Sequence, residues 1–145
     1  MRIFEALFLR VFYMTLWLKQ RTTLGAQIVL IDNRKILLVR HTYKSGWHLP
    51  GGGVEPPEPP EATAMRELRE GVGYELLDHP ELVGIFPNVS SATKSDYLAI
   101  FASTGFRAAA GERRHALAEV RWFAVDDLPH DVVPICRTVV RVLID

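Results

Sequence analysis

The sequence predicts an α/β domain, a mixed sheet covered by helices. Three observations lead there. Short runs rich in aliphatic and β-branched residues recur through the chain and are separated by turn chemistry. A central stretch switches to apolar spacings of three and four, and an aliphatic stretch ending in residues 134–144 closes the chain. Strands with hairpin-like neighbours, plus two or three helices, fit layers packed around one core, and 145 residues are enough to build it.

The first element is "IFEALFLRVFYMTLWL", residues 3–18. Glu5 and Arg10 interrupt it, and it is shorter than the ~20 apolar residues that a bilayer-crossing helix needs. Lys19, Gln20 and Arg21 follow where a secretory signal would place small residues, so neither a transmembrane segment nor a signal peptide is expected. Residues 1–20 are read as an amphipathic helix lying on the domain's own core or on a partner copy, which favours a homodimer. Attachment to a membrane surface is the alternative.

Residues 21–145 form the rest of the unit. "TTLGAQIVLI" reads as a buried strand, Asp32-Asn33 as a turn, and "KILLVRH" as the returning strand of a hairpin. Pro59 and Pro60 read as a helix start, because proline's missing N–H has no partner in a first turn anyway. Ala62, Met65, Leu68 and Val72 give that helix one apolar stripe, and Gly71 and Gly73 supply its stop. "ELVGIFP", "DYLAIFAS" and "LAEVRWFAV" are further strands, and "PICRTVVRVLI" is a closing helix. The loop "TGFRAAAGERRH" carries no clear pattern.

Seventeen basic and seventeen acidic residues balance, so net charge proposes neither DNA nor an anionic membrane as the main partner. The only cysteine, Cys136, excludes an internal disulfide and points to a reducing, cytoplasmic compartment, with a small buried hydrophobe as its expected role.

The densest carboxylate cluster follows the most flexible loop, in "LPGGGVEPPEPPEATAMRELREGVGY", residues 49–74. On a helix starting near Pro59, Glu67 and Glu70 fall roughly 60° apart and look outward from the apolar stripe. Two adjacent carboxylates repel unless a cation sits between them, and oxygen-only ligands suit Mg²⁺ or Mn²⁺. Gly51, Gly52 and Gly53 let a ligand approach the main chain closely. Magnesium takes few carboxylates and completes its shell with water and substrate phosphates, so a diphosphate is the natural client. The plainer reading, a solvated glutamate face, stays open on spacing alone.

These residues resemble the Nudix box, G-x₅-E-x₇-R-E-U-x-E-E-x-G-U with U a bulky aliphatic. Gly52 opens it, Glu58 follows, then Arg66, Glu67, Leu68, Arg69 and Glu70, and Gly73 and Tyr74 close it. The flanking segments from about Thr23 to Pro129 are similar to the same hydrolases. The resemblance implies a Nudix-type α/β/α sandwich, a divalent cation, and hydrolysis of a nucleoside diphosphate linked to another moiety, a small-molecule nucleotide substrate. Position by position it implies Glu67 and Glu70 as catalytic and metal-binding residues, the carbonyl of Gly51 as a backbone metal ligand, and Glu58 with Arg66 as a brace of loop against helix.

At Gly71 the chain departs from the pattern, which has the second glutamate of the E-E pair there. Loss of a carboxylate would weaken cation binding by about a few kcal/mol at an effective dielectric near 20. Glu119 is the first candidate to replace it, ahead of Glu55 and of Glu112 beside Arg113 and Arg114. Gly71 could instead end the helix a turn early. The departure leaves a second function class: a Nudix-fold module that binds a nucleotide or a protein with impaired turnover.

Arg40, His41, Tyr43, Lys44 and Trp47 cluster before the glycines, and Arg40, Tyr43 and Trp47 are candidates for holding phosphate or stacking on a base. His48 reads as a strand-edge residue, Trp122 as core, and Asn88 and Asp96 as borders of a specificity loop.

Overall fold

The computed structural model describes residues 2–19, 22–89, 96–111 and 117–144. In chain order these form α1 (Arg2–Lys19), β1 (Thr23–Asp32), β2 (Lys35–Arg40), β3 (Trp47–His48), β4 (Gly51–Gly53) and α2 (Pro60–Glu67). A π turn over Leu68–Val72 continues α2, and β5 (Tyr74–Leu76), β6 (Glu81–Pro87), β7 (Asp96–Ser103), β8 (Phe106–Ala108), β9 (Glu119–Ala124) and α3 (Pro134–Ile144) follow.

β1 organises the sheet. Along one edge it pairs in parallel with β7, from Thr23↔Asp96 to Leu30↔Ser103. Along the other it pairs antiparallel with β4 at Gly25↔Gly53 to Gln27↔Gly51, and then with β2 at Ile31↔Ile36. β9 and β3 add to β2, β6 adds to β7, and β5 and β8 make a separate small ladder. The sheet is therefore mixed, as the sequence implies. The hairpin between β1 and β2 turns at Asn33 and Arg34, both at positive φ (48° and 57°), which suits the twist of a tight antiparallel connection.

The period of two sorts side chains onto two faces. Ala26, Ile28 and Leu30 of β1, Leu37 and Val39 of β2, and Ala99 and Phe101 of β7 meet Ala64, Leu68 and Val72 of the central helix. Val29, Ile36, Leu38, Leu98 and Ile100 point to the opposite face and meet Cys136, Val139 and Val140 of α3. Helices on both faces of the sheet give the α/β/α arrangement.

Four expectations need correcting. Of residues 2–18 only Leu16 is half-buried and the others are exposed, so α1 does not lie on this chain's core. The packing stripe of α2 starts at Thr63 and Ala64, whereas Ala62 and Met65 are only half-buried, because α2 sits rotated toward β1. Gly71 does not end the helix: it is buried inside the π turn, and Gly73 at φ 89° is the left-handed cap. The patternless loop contains β8, which exists through pairing with β5.

Candidate active site

β4 places the glycines against β1, and each does so for a local reason. A Cβ on Gly51 would run into the carbonyl oxygen of Ala26 across the ladder. A Cβ on Gly52 would stand 2.6 Å from Cδ and 2.7 Å from Oε1 of Glu67. Position 52 is thus bare so that a carboxylate can lie on the main chain.

Arg66 holds that carboxylate and two others. Its Nη1 is 2.9 Å from Glu67 Oε1 and 3.7 Å from Glu70 Oε2. Its Nε and Nη2 both donate to Glu58 at 3.0 Å, a two-point pair that ties the loop before α2 to the helix. Thr63 Oγ1 donates to Glu58 Oε1 at 2.6 Å. The guanidinium and then the hydroxyl hold the Glu58 carboxyl down at about 2 from an ordinary 4.5, and the same pairing raises Arg66. Glu67 and Glu70 do not look outward as expected: their side chains are 17% and 14% exposed, enclosed around Arg66.

Two clefts meet at β4. The smaller, about 460 Å³, is lined by Gly51, Gly52, Gly53, Glu67, Gly71, Tyr43 and Leu117 among others. Among the described residues a Cβ on Gly71 would meet only Leu117 Cδ1, at an ordinary contact distance of 3.9 Å, so the cleft beside Glu67 has room at this position. The larger cleft, about 710 Å³, lies on the other side and takes in Gln27, His41, Lys44, His48, Asn88 and Asp96. There Asn88 Nδ2 donates to Asp96 Oδ2 at 2.8 Å, and Thr23 Oγ1 donates to Asp96 Oδ1 at 2.7 Å. His41 lines both clefts. Burial, then Lys44 and His48, lower its pKa to about 4, so its ring is neutral at neutral pH. His48 is also lowered, chiefly by burial, and its Nε2 lies 2.9 Å from the Ser45 carbonyl.

Glu70, beside Arg66, lines neither cleft, and nor do Trp47, Arg40 and Glu119. Trp47 is 3% exposed and packs edge-on to Phe123 at 4.8 Å, so its ring is core and offers no face to a base. Arg40 lies over that ring at 4.6 Å and pairs with Asp131 at 3.2 Å. Glu119 is the cross-strand partner of Arg40, and its carboxylate pairs with Arg121 at 2.7 Å and stands 4.0 Å from Arg40. The register of β2 with β9 puts it in an arginine cluster, and it lines neither cleft, whereas its expected role was that of replacement ligand. Tyr43 stays, 75% exposed at the mouth of the smaller cleft. Glu112, Arg113 and Arg114, and the loop residues 90–95, lie outside the described residues. Gln27 and Leu117 were missed, and only the lone polar residue inside "GAQIVLI" hinted at the first.

Among the described residues no group of three or more His, Cys, Asp or Glu comes together as a metal cage. Glu67 on a glycine strand beside a cleft with room at Gly71 fits a cation that takes one or two carboxylates and completes its shell with substrate phosphates.

The NUDIX domain family matches residues 21–143. The chain belongs to the Nudix family. Its curated relatives include the CMP-5'-(N-acetyl-N-hydroxy-3-aminopropyl)phosphonate hydrolase of Streptomyces rubellomurinus, 29% identical over 110 residues, 71% of this chain and 52% of the relative. A putative 8-oxo-dGTP diphosphatase of Bacillus subtilis is 47% identical over 47 residues, 32% of each chain. The chain thus spans about half or less of these relatives' lengths. The crystal structure of a MutT NUDIX hydrolase from Burkholderia pseudomallei superposes with a TM-score of 0.70 at 23% identity, covering 83% of this chain and 97% of that one. This likeness shows the Nudix fold.

Proposed function

We propose that this chain is a metal-dependent Nudix hydrolase that cleaves the diphosphate linkage of a nucleoside diphosphate attached to another group. The observation that carries the reading is the Glu67 carboxylate lying on the bare main chain of Gly52, where the smaller cleft meets the larger one. The smaller cleft suits the diphosphate and the larger the nucleoside. In the larger cleft the carboxylate Asp96 and amide Asn88 offer hydrogen bonds to a base, while exposed Tyr43, at the mouth of the smaller cleft, offers a stacking surface to the group beyond the diphosphate.

Glu67 and the Gly51 carbonyl would hold Mg²⁺ or Mn²⁺, with Glu70 joining from the Arg66 side; the ion supplies charge neutralisation at the phosphates. Glu67 takes the proton from a water whose oxygen attacks one phosphorus. The P–O bond to the other phosphate breaks, and its electron pair leaves on that phosphate's oxygen. Arg66 orients Glu67, and Glu58 orients Arg66. Burial of the lone Cys136, whose thiol is pushed up to about 12, keeps it unreactive and agrees with a reducing cytoplasm.

Chromatography after incubation with CDP-, UDP- and ADP-linked compounds and Mn²⁺ tests this. Cleavage of at least one, lost with chelator and in Glu67→Gln, is the expected result. The room at Gly71 favours a second reading, a nucleotide-binding module with impaired turnover. That reading wins where the native chain binds a nucleotide but releases no product and Gly71→Glu gains release.

A further inference from the structure

α1 packs into neither core, yet it is among the most apolar segments of the chain. At about 100° per residue, Ile3, Phe4, Leu7, Phe8, Val11 and Leu18 fall within one arc of roughly 140°, broken only by Thr15. They are between 46% and 82% exposed. Leu16, the half-buried residue of the helix, lies roughly 150° from the centre of that arc. Leu16 therefore lies off the arc, and the side chains of the arc itself are open to solvent. Arg10, Trp17 and Tyr13 fall within roughly 60° of one another and border the arc on one side.

Charge points to what covers this face. The whole chain is balanced at seventeen against seventeen, but the helix sequence carries Arg2, Arg10 and Lys19 against Glu5 alone. Of these, Arg10 stands beside the broad apolar face with Trp17 and Tyr13 at the same border, an arrangement that suits a helix lying in a headgroup plane, where aromatic rings sit at the interface and arginine reaches the lipid phosphates. Among the described residues no helix is long and apolar enough to cross a membrane, so a bilayer would meet α1 at its surface and not as a span. A second copy, the partner the sequence suggests, would cover a narrow a/d seam, and this arc is wider and crowded by Phe4 and Phe8.

We propose that α1 docks on the surface of an anionic lipid bilayer, with its apolar arc sunk among the acyl chains and Arg10, Tyr13 and Trp17 at the headgroup level. The chain is then a peripheral membrane protein whose clefted domain is held beside the bilayer.

Flotation of the full chain with vesicles tests this, using phosphatidylcholine alone and phosphatidylcholine mixed with phosphatidylglycerol. The chain is expected to float with the mixed vesicles, less with phosphatidylcholine alone, and less as salt rises. Phe4→Glu with Phe8→Glu should lower partitioning by about a hundredfold. Arg10→Glu should lower it for the mixed vesicles only. Circular dichroism checks that each variant keeps the folded sheet domain. No flotation of the native chain overturns the proposal, whether it sediments as a monomer or as a dimer that the Phe8→Glu change splits. Flotation that survives the double change overturns it as well.

Discussion

Glu67 occupies the space that any side chain at position 52 would need, with its Cδ 2.6 Å from where a Cβ of Gly52 would stand. Neither group can change without moving the other. Gly52→Ala should therefore push the carboxylate off β4, at roughly 1–3 kcal/mol of overpacking. We expect kcat/KM to fall at least about tenfold, since a shift of about 1 Å misplaces a catalytic group. Kinetics beside urea unfolding check this, and an Ala variant with native activity would refute the positioning of Glu67.

Gly71 gives the opposite result. It holds helical backbone in the π turn, and among the described residues a Cβ there would make one ordinary contact, with Leu117. Gly71→Ala should stabilise the fold by about 0.5–1 kcal/mol, because glycine loses more chain entropy in a helix than alanine does. Gly71→Glu should fold equally well and bind Mn²⁺ about tenfold more tightly or better, as a second carboxylate enters the cleft beside Glu67. Calorimetric titration with Mn²⁺ reads this without requiring turnover.

Arg66→Gln removes a positive group that joins Glu58, Glu67 and Glu70. An activity loss of roughly tenfold to hundredfold is expected from misorientation alone. The stability effect carries a sign. The Glu58 pKa is depressed from 4.5 to about 2, so its contribution is complete above about pH 4.5 and is lost as the pH falls toward 2. In Arg66→Gln that contribution is gone, and acid unfolding followed by circular dichroism should begin at higher pH than in the native chain.

His41 titrates far from its ordinary place, its pKa lowered from 6.5 to about 4. Between those values the unfolded chain binds more protons than the folded one. Stability from this group is therefore complete above about pH 6.5 and is lost as the pH falls to about 4. NMR titration of the ring should place its midpoint near 4, and His41→Phe should flatten the stability profile across that window. A midpoint near 6.5 would refute the desolvated setting at the junction of the clefts.

Much of this was legible in the sequence. β6, β7 and α3 follow runs whose own periodicity marks their limits, and the Glu58 to Arg66 spacing brings the pair together through local helix geometry. What was not legible depends on distant partners. Three glycines have no apolar alternation, so β4 exists only because β1 offers an edge. Whether Trp47 meets ligand or core is settled by Phe123 on β9, and Glu119 is opposite Arg40 through a register that no local pattern encodes. The π turn changes the angular step after Leu68, so wheel geometry carried Glu70 outward when it is in fact enclosed near Arg66.

The parallel pairing of β1 with β7 has an effect on timing. Thr23 and Asp96 stand 73 positions apart, so during synthesis the far edge of β1 stays open until residues 96–103 have left the ribosome. α1 leaves ahead of both strands. A nascent chain that docks through α1, as proposed above, would reach its surface long before the sheet closes, and the finished domain would then mature where it is to work.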